Sequence, residues 1–579
     1  MAEETYDMIV VGAGWFGLAA ARAYIETHPH ERIAVLESAE SCGGTWSEAR
    51  LYPGLKSNNM IGSYEYPDFP MSEDIYGVKQ GGHIPGAVLH RYLTDFARKF
   101  GVLERTQFHS KVDDVKALRS SSSDDTSGDI TGWALTVTSL SNINAQQKQK
   151  QRILTTKKLI LATGLTSTPN FPQYAGAETF GRPLFHAKDF CRRASELKQA
   201  KKAIVVGGAK SAYDVAYALA QDGATVDLVI RPNGHGPVWI APPFVTPLKR
   251  RLDTIFNVRL LTWFSPCPWG GEDGYGRIRN LLHGTRVGRF VVDTFWKVLQ
   301  GDVLDAIRYD AHPELAKLKP WNSAFWIASG LSILNYDTPI FDLVKEGRIR
   351  VHIDNIDHLE PGRAVLASGE VLETDGIVCS TGWKKESMKI SGLDEAGLGL
   401  ASAVVEANRL ALNAKADSDV LTMFPRLKDQ PQLRFEPKEA DPLRNYRFIV
   451  PSTMLQSRNL AFSGMISTVN TAVCATVQAV WITAFLDGKL DRIAQTPDEV
   501  TQEVMLHTQW GKWRFPCGYG ASLPDFVFEG LPYVNMLMKD MGLRIYRKPS
   551  YVKELVEPYT PPDFAGLLDE WKRHHPVKA

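Results

Sequence analysis

No two of the six cysteines (Cys42, Cys191, Cys267, Cys379, Cys474, Cys517) stand close together, and no Cys-x-x-Cys occurs. That excludes the usual zinc and dithiol spacings and points to free thiols in a reducing compartment. Charge of one sign is also missing: 66 Lys and Arg face 65 Asp and Glu, for a formal charge of +1. Such a balance gives no pull toward nucleic acid or anionic lipid. Long apolar runs are absent as well. The most apolar helical stretch, Ala472 to Leu486, falls short of the roughly 20 residues a membrane span needs. The opening "MAEETYD" is too polar for a secretory leader, and the closing "DEWKRHHPVKA" is too charged for a lipid anchor. Together these absences predict a soluble cytoplasmic protein with no metal site, no nucleic-acid partner and no membrane span.

What is present is a strand–turn–helix rhythm over 579 residues, enough for several domains. Met8 to Val11 read as a buried strand and Leu18 to Ile25 as a helix. Between them Gly12, Gly14 and Gly17 are spaced G-x-G-x-x-G. The first glycine permits the turn, the second lets a pyrophosphate approach the backbone, and the third lets helix and strand pack. The helix N-terminus then offers N–H groups and positive dipole to phosphate. Glu37 closes the next strand. A carboxylate there accepts from a ribose diol and repels a 2′-phosphate, which suits FAD or NAD and not NADP. "CGGTW" follows, where Gly43 and Gly44 allow close approach of a flat ligand and Trp46 offers a ring or an indole N–H. Taken alone Trp46 reads as a core aromatic; its place after Glu37 favours a flavin.

A second turn lies in "AIVVGGAKSAYD", Ala203 to Asp214. Gly207, Gly208 and Ser211 form it, with Ala209 where a second spaced glycine is usual. The next strand ends in Arg231, which can fork onto a 2′-phosphate, with Lys210 adding charge. A solvated surface cation is the plainer reading of any single arginine. Two turns with opposite end charges imply two dinucleotides, FAD first and NADPH second.

At this point the chain resembles flavin-dependent monooxygenases of the flavin-containing and Baeyer–Villiger type, over most of its length. "GAGWFG" with Glu37 is similar to the FAD fingerprint, and "GGTW" (Gly43–Trp46) occurs in both branches. "LATGLTSTPNFP", with Gly164, and "DGIVCSTGW" resemble the segments linking the two nucleotide domains. "VQAVW" is similar to the last FAD-domain helix. "FGRPLFHAKDF" resembles the family motif with Phe180, His186 and Phe190 in place, although its glycine, Gly181, sits one position early. Phe190 leans toward the flavin-containing branch, as does "LKSNNM", which puts Ser57 and Asn58 where that branch has a Ser/Thr-Asn pair. "YPG" leans toward the Baeyer–Villiger branch. The long insertion resembles fungal members serving secondary metabolism.

The resemblance implies an α/β fold with two Rossmann-like domains, the FAD domain discontinuous. It places an FAD-binding part at residues 1–190, an NADPH-binding part at 191–375 and a second FAD part with a C-terminal extension at 376–579; outside the resemblance, the aromatic-rich stretch at about 232–336 breaks the βα rhythm and reads as a mainly helical insertion. It implies NADPH reducing FAD, O2 adding to the reduced flavin as a C4a-(hydro)peroxy adduct, and transfer of one oxygen to a hydrophobic small molecule. A protonated adduct oxygenates a heteroatom or aromatic carbon; a deprotonated one attacks a ketone in the Baeyer–Villiger manner. The residues do not choose between these. Asn58 and His186 are the catalytic candidates. Asn58 is otherwise a turn residue, and His186 otherwise a packing or linker residue. Gly12, Gly14, Gly17, Glu37, Gly44, Thr45, Trp46, Ser57, Gly164, Gly207, Lys210, Ser211, Asp214 and Arg231 are the cofactor-binding candidates. The insertion's aromatics, such as Trp239, Trp269 and Trp296, line an apolar pocket or form the insertion's own core. A dithiol reductase would need a cysteine pair, and an NADPH-dependent redox sensor would not consume O2. Oligomeric state is left open, a homodimer included.

Overall fold

The computed structural model of the chain describes residues 4–120, 129–140, 150–245, 249–385, 388, 390–391, 406–436 and 442–576. The polar loops "RSSSSDDTSGD" and "NINAQQKQKQR", whose composition suggests hairpin tips, fall for the most part outside the described residues.

Two separate sheets carry the two glycine turns. In the first, the strand Glu4–Val11 runs parallel to Ile33–Leu36 on one side and to Gln151–Leu161 on the other. Both of its faces are covered, so Met8, Ile9 and Val10 are fully buried. A strand covered on both faces needs a continuous apolar run and not an alternation, which is what "MIVV" and "IAVL" supply. Beyond Gln151–Leu161 the sheet turns antiparallel through Ile130–Ser139 and Ser110–Arg119. Late in the chain Leu460–Phe462 joins the same strand in parallel. The first unit is therefore discontinuous.

The second sheet is parallel throughout, in the order Leu184–His186, Ile377–Cys379, Lys202–Val206, Thr225–Val229, Ile349–His352. It reaches past the expected 191–375 span at both ends, because the linking segments themselves contribute strands. The helix Lys210–Gln221 follows its glycine turn as Trp15–Thr27 follows the first.

The apolar helix Thr471–Leu486 is buried from Ala472 to Leu486. It packs against Trp15–Thr27. Its all-round hydrophobicity is that of an interior helix. Among the described residues no helix is long and apolar enough to cross a membrane.

The 232–336 insertion does not form a core of its own. Trp239, Phe256, Trp269, Trp296, Phe325 and Trp326 belong to one apolar cluster with the first unit and the C-terminal segment. Phe290 instead faces solvent. A buried ion pair, Arg259 to Glu554 at 2.7 Å, ties the insertion to that segment, and a partly exposed one adds to it, Glu272 to Arg492 at 3.0 Å, with Arg492 in turn meeting Asp540 at 2.8 Å. Removing one partner of the buried Arg259–Glu554 pair strands the other charge, so that contact fixes the docking geometry.

Candidate functional site

The first turn is built by backbone crowding. Gly12 has φ +106°, and a Cβ there would drive into the carbonyl oxygen of Ala162 at the end of the neighbouring strand. A Cβ on Gly17 would enter the carbonyl of Gly12. Gly14 has a different constraint: the nearest atom to its would-be Cβ is Gly44 Cα at 3.7 Å. Gly44, at φ +59°, returns the approach at 3.1 Å to Gly14 Cα. Two glycine backbones thus form the walls of a slot that any side chain would fill. Such a slot fits a pyrophosphate threading between them. Glu37 is buried, and its carboxylate accepts from the backbone N–H of Ala13 at 2.7 Å and of Ala39 at 2.8 Å. Those bonds aim it at the turn, where the expected ribose lies.

Past the slot, Thr45 Oγ lies 3.2 Å from Thr166 Oγ, and Trp46 Nε1 donates to Tyr64 at 3.2 Å. Burial pushes the Tyr64 hydroxyl up to about 12. Gly164, at φ +70°, has open space around it. The strand Lys56–Met60 carries Ser57 and Asn58. Ser57 is buried, donating to Asn59 O at 2.5 Å and accepting from Ile84 N at 3.0 Å. Its hydroxyl is therefore occupied in holding this strand against its neighbour. Among the described residues the half-buried Asn58 carboxamide has no hydrogen-bond partner. Asn59 donates to Val469 O at 3.1 Å, which closes this end of the site with the 467–469 segment.

The second turn repeats the first in backbone. Gly207 has φ +141°, and a Cβ would enter the carbonyl of Ser380. A Cβ on Gly208 would lie 2.6 Å from Gly236 O. The slot corresponding to Gly17 is Ala212, buried beside Gly207, and not Ser211, which is exposed. Spacing alone identifies it: 207, 209 and 212 repeat the interval of 12, 14 and 17. Arg231 is exposed, and among the described residues it has no ion-pair partner. Lys210 is engaged: its ammonium pairs with Asp214 and donates to Asn335 Oδ1 at 2.9 Å. Asp214 also accepts from Tyr336 at 2.9 Å.

His186 sits where the two units meet. Its Nε2 lies 3.0 Å from Gly382 O and its Nδ1 accepts from Lys188 N at 3.1 Å, so the Nε2–H tautomer satisfies both. Burial lowers its affinity for a proton, and Trp383 packs edge-on at 5.1 Å. Both ring nitrogens are occupied by backbone, which leaves the ring as a brace between linkers.

Three features here gave no sequence signal. Asn335 lies in the tail of the insertion and reaches both units. Lys385 donates to Leu165 O at 3.2 Å and stands over the Tyr519 ring at 4.5 Å. Burial pulls it down to about 8. Asp525 is fully buried, with Tyr519 N at 3.1 Å and Ser329 N at 3.2 Å, and burial pushes it up to about 6. Each is one polar residue in an irregular segment, and only the fold brings it near the others.

A small apolar cavity of about 40 Å³ adjoins this region, walled by Trp239 and Trp296 from the insertion and by Phe515, Val527 and Phe528 from the C-terminal segment. Ala328 on its wall has φ +43°, a strained conformation for a residue with a side chain, and turns the chain so that Ser329 meets Asp525.

Residues 10–67 match the family of NAD(P)-binding Rossmann-like domains, and residues 136–259 match the pyridine nucleotide-disulphide oxidoreductases. An FAD-dependent monooxygenase of Aspergillus nomiae is 32% identical over 99% of this chain and 99% of its own. In fold, cyclohexanone monooxygenase in its closed form superposes with a TM-score of 0.58 at 17% identity, covering 93% of this chain and 98% of its own. The S-allyl-L-cysteine S-oxygenase of Allium sativum superposes with a TM-score of 0.51 at 14% identity, covering 100% and 95%.

Proposed function

The chain belongs to the FAD-dependent monooxygenases, and on that premise we propose how its residues share the work. The enzyme uses FAD, NADPH and O2 on a small-molecule substrate. The Gly12–Gly14–Gly44 cradle with Glu37 holds FAD, and the Gly207 turn with Arg231 holds NADPH. The contrast between a buried carboxylate ending one unit and an unpaired guanidinium ending the other carries this reading. When bound, FAD takes electrons from NADPH and delivers one atom of O2 to the substrate.

The protein's own part is positioning and exclusion of water. The Asn58 carboxamide, with no protein partner, offers a donor and an acceptor to the flavin and nicotinamide that meet there. Trp46 and Tyr64 back that end of the site. His186 braces the linkers, with both ring nitrogens held by backbone. The apolar lining of the cavity between the insertion and the C-terminal segment suits a hydrophobic part of the substrate. We place the enzyme in the cytoplasm and in fungal secondary metabolism. The protein divides into an NADPH unit around the second sheet and an FAD unit around the first.

The test is Asn58→Ala in the FAD-loaded enzyme. NADPH oxidation continues, and most of the reducing equivalents appear as H2O2, because loss of one buried hydrogen bond of about 1–3 kcal/mol is enough to open the site to water. Full coupling to oxygenated product in that variant would remove Asn58 from the site. A panel of amines, sulfides, phenols and ketones separates heteroatom or aromatic oxygenation from ester formation.

A further inference from the structure

Asn335 is nearly buried and touches both nucleotide units at once. Its Oδ1 accepts from Lys210 Nζ at 2.9 Å, and its Nδ2 donates to Lys56 O and Ser57 O, each at 3.1 Å. The orientation of the amide is fixed by chemistry, since an ammonium only donates and a carbonyl only accepts. Along a regular strand, successive carbonyls point to opposite sides. One NH2 group reaching two in a row marks a bend, and the pairing of this strand with His83–Pro85 does shift register between Lys56 and Met60. His83 Nδ1, 3.0 Å from Ser57 O, shares that carbonyl. The residue after the bend is Asn58, whose carboxamide has no partner of its own among the described residues. Its direction is therefore set by the backbone that Asn335 holds.

The other end of the bridge is equally placed. Lys210 opens the helix that follows the Gly207 turn, and phosphate binds at such N-termini. The segment around Asn335 is pinned on both sides, by Tyr336 on Asp214 at 2.9 Å and by Lys56 on Asp337 at 2.5 Å.

We propose that Asn335 is a positioning residue: it holds the bend before Asn58 and ties it, through Lys210, to the turn that takes the nicotinamide dinucleotide. This rests on the role given to Asn58 above. The bridge keeps the carboxamide and the bound NADP+ in register, so loosening it leaks peroxide and weakens NADP+ together.

The experiment compares FAD-loaded wild type with Asn335→Ala, Asn335→Asp, Lys210→Met and Asn58→Ala. H2O2 per NADPH oxidised, the NADP+ dissociation constant from flavin absorbance, and melting temperature are all read. Asn335→Ala is expected to raise the peroxide fraction to a majority and weaken NADP+ roughly tenfold, the scale of lost hydrogen bonds to charged and buried partners. Asn335→Asp keeps the volume but turns an oxygen toward two carbonyls, so it is expected to leak at least as much. It also carries the test if the alanine variant does not accumulate. Lys210→Met combined with Asn335→Ala is expected to add less than the sum of the two, as for residues in one network. Wild-type peroxide yield and NADP+ affinity in Asn335→Asp, or strict additivity with Lys210→Met, would overturn the bridge. If Asn58→Ala leaks and the Asn335 variants do not, the bridge alone fails. If Asn58→Ala does not leak, the role of Asn58 fails first.

Discussion

At Gly12 and at Gly207 the chain makes the same turn for the same reason. Each glycine has a positive φ, and each has the carbonyl of a residue following a neighbouring strand, Ala162 or Ser380, in the place of a Cβ. The surroundings then part. The first turn faces a second glycine loop, with Gly44 closing on Gly14, and its terminal acid is buried with two N–H groups on it. The second faces Gly236, and its terminal arginine lies in solvent, with no ion-pair partner among the described residues. A deep slot with a fixed acid suits a carrier that stays. A turn with an exposed cation suits one that comes and goes. In the proposed function the backbone of each turn holds a dinucleotide and the side chain ending the following strand selects which.

The strongest way to break this comparison is to fill each turn. Gly12→Ala and Gly207→Ala each combine backbone strain with overlap, on the order of 3 kcal/mol or more. The first is expected to yield colourless protein. The second is expected to stay yellow but fail to bleach with NADPH under anaerobic conditions. Matching phenotypes would show that the two turns are not independent sites. Next in size is the charge at each strand end. Arg231→Ala is expected to raise the NADPH KM about tenfold or more, on about 1.5–3 kcal/mol for a hydrogen bond to a charged group. Glu37→Gln is expected to lower flavin occupancy after dialysis without changing the choice between NADPH and NADH.

The smallest effect lies outside both turns. His283 in the insertion and His507 in the C-terminal segment are buried, and burial holds each at about 3. Unfolded, they would titrate near 6.5. Their depressed values mean that the stability they contribute is complete above about pH 6.5 and is lost progressively as pH falls toward 3. Melting temperature is expected to drop between pH 7.5 and 5, less steeply in His507→Gln, with cofactor preference unmoved. A shift in NADPH preference in that variant would contradict the separation of body from turns.

Much of this frame is legible in the chain alone. Two apolar runs before glycine turns, and an acid and an arginine at the ends of the next strands, define both cradles, because local backbone geometry demands those residue types at those places. Ser211 stands in the sequence reading where Ala212 serves, although the interval of 12, 14 and 17, repeated at 207, 209 and 212, marks Ala212. His186 stands in its motif, yet only the fold reveals that backbone occupies both ring nitrogens. Asn335, Lys385 and Asp525 were silent because their partners lie far away in sequence. Asn335 reaches Ser57 across 278 positions. The aromatics of the insertion were visible, but not that they complete a core begun elsewhere and wall a cavity with Phe515 and Phe528.

The most direct measurement is the ratio of kcat/KM for NADPH to that for NADH, in wild type and in Arg231→Glu, side by side on enzyme of equal flavin content. The charge contrast requires a wild-type ratio well above ten that collapses or inverts when the second unit is given the first unit's acid. An unchanged ratio in the variant would contradict it.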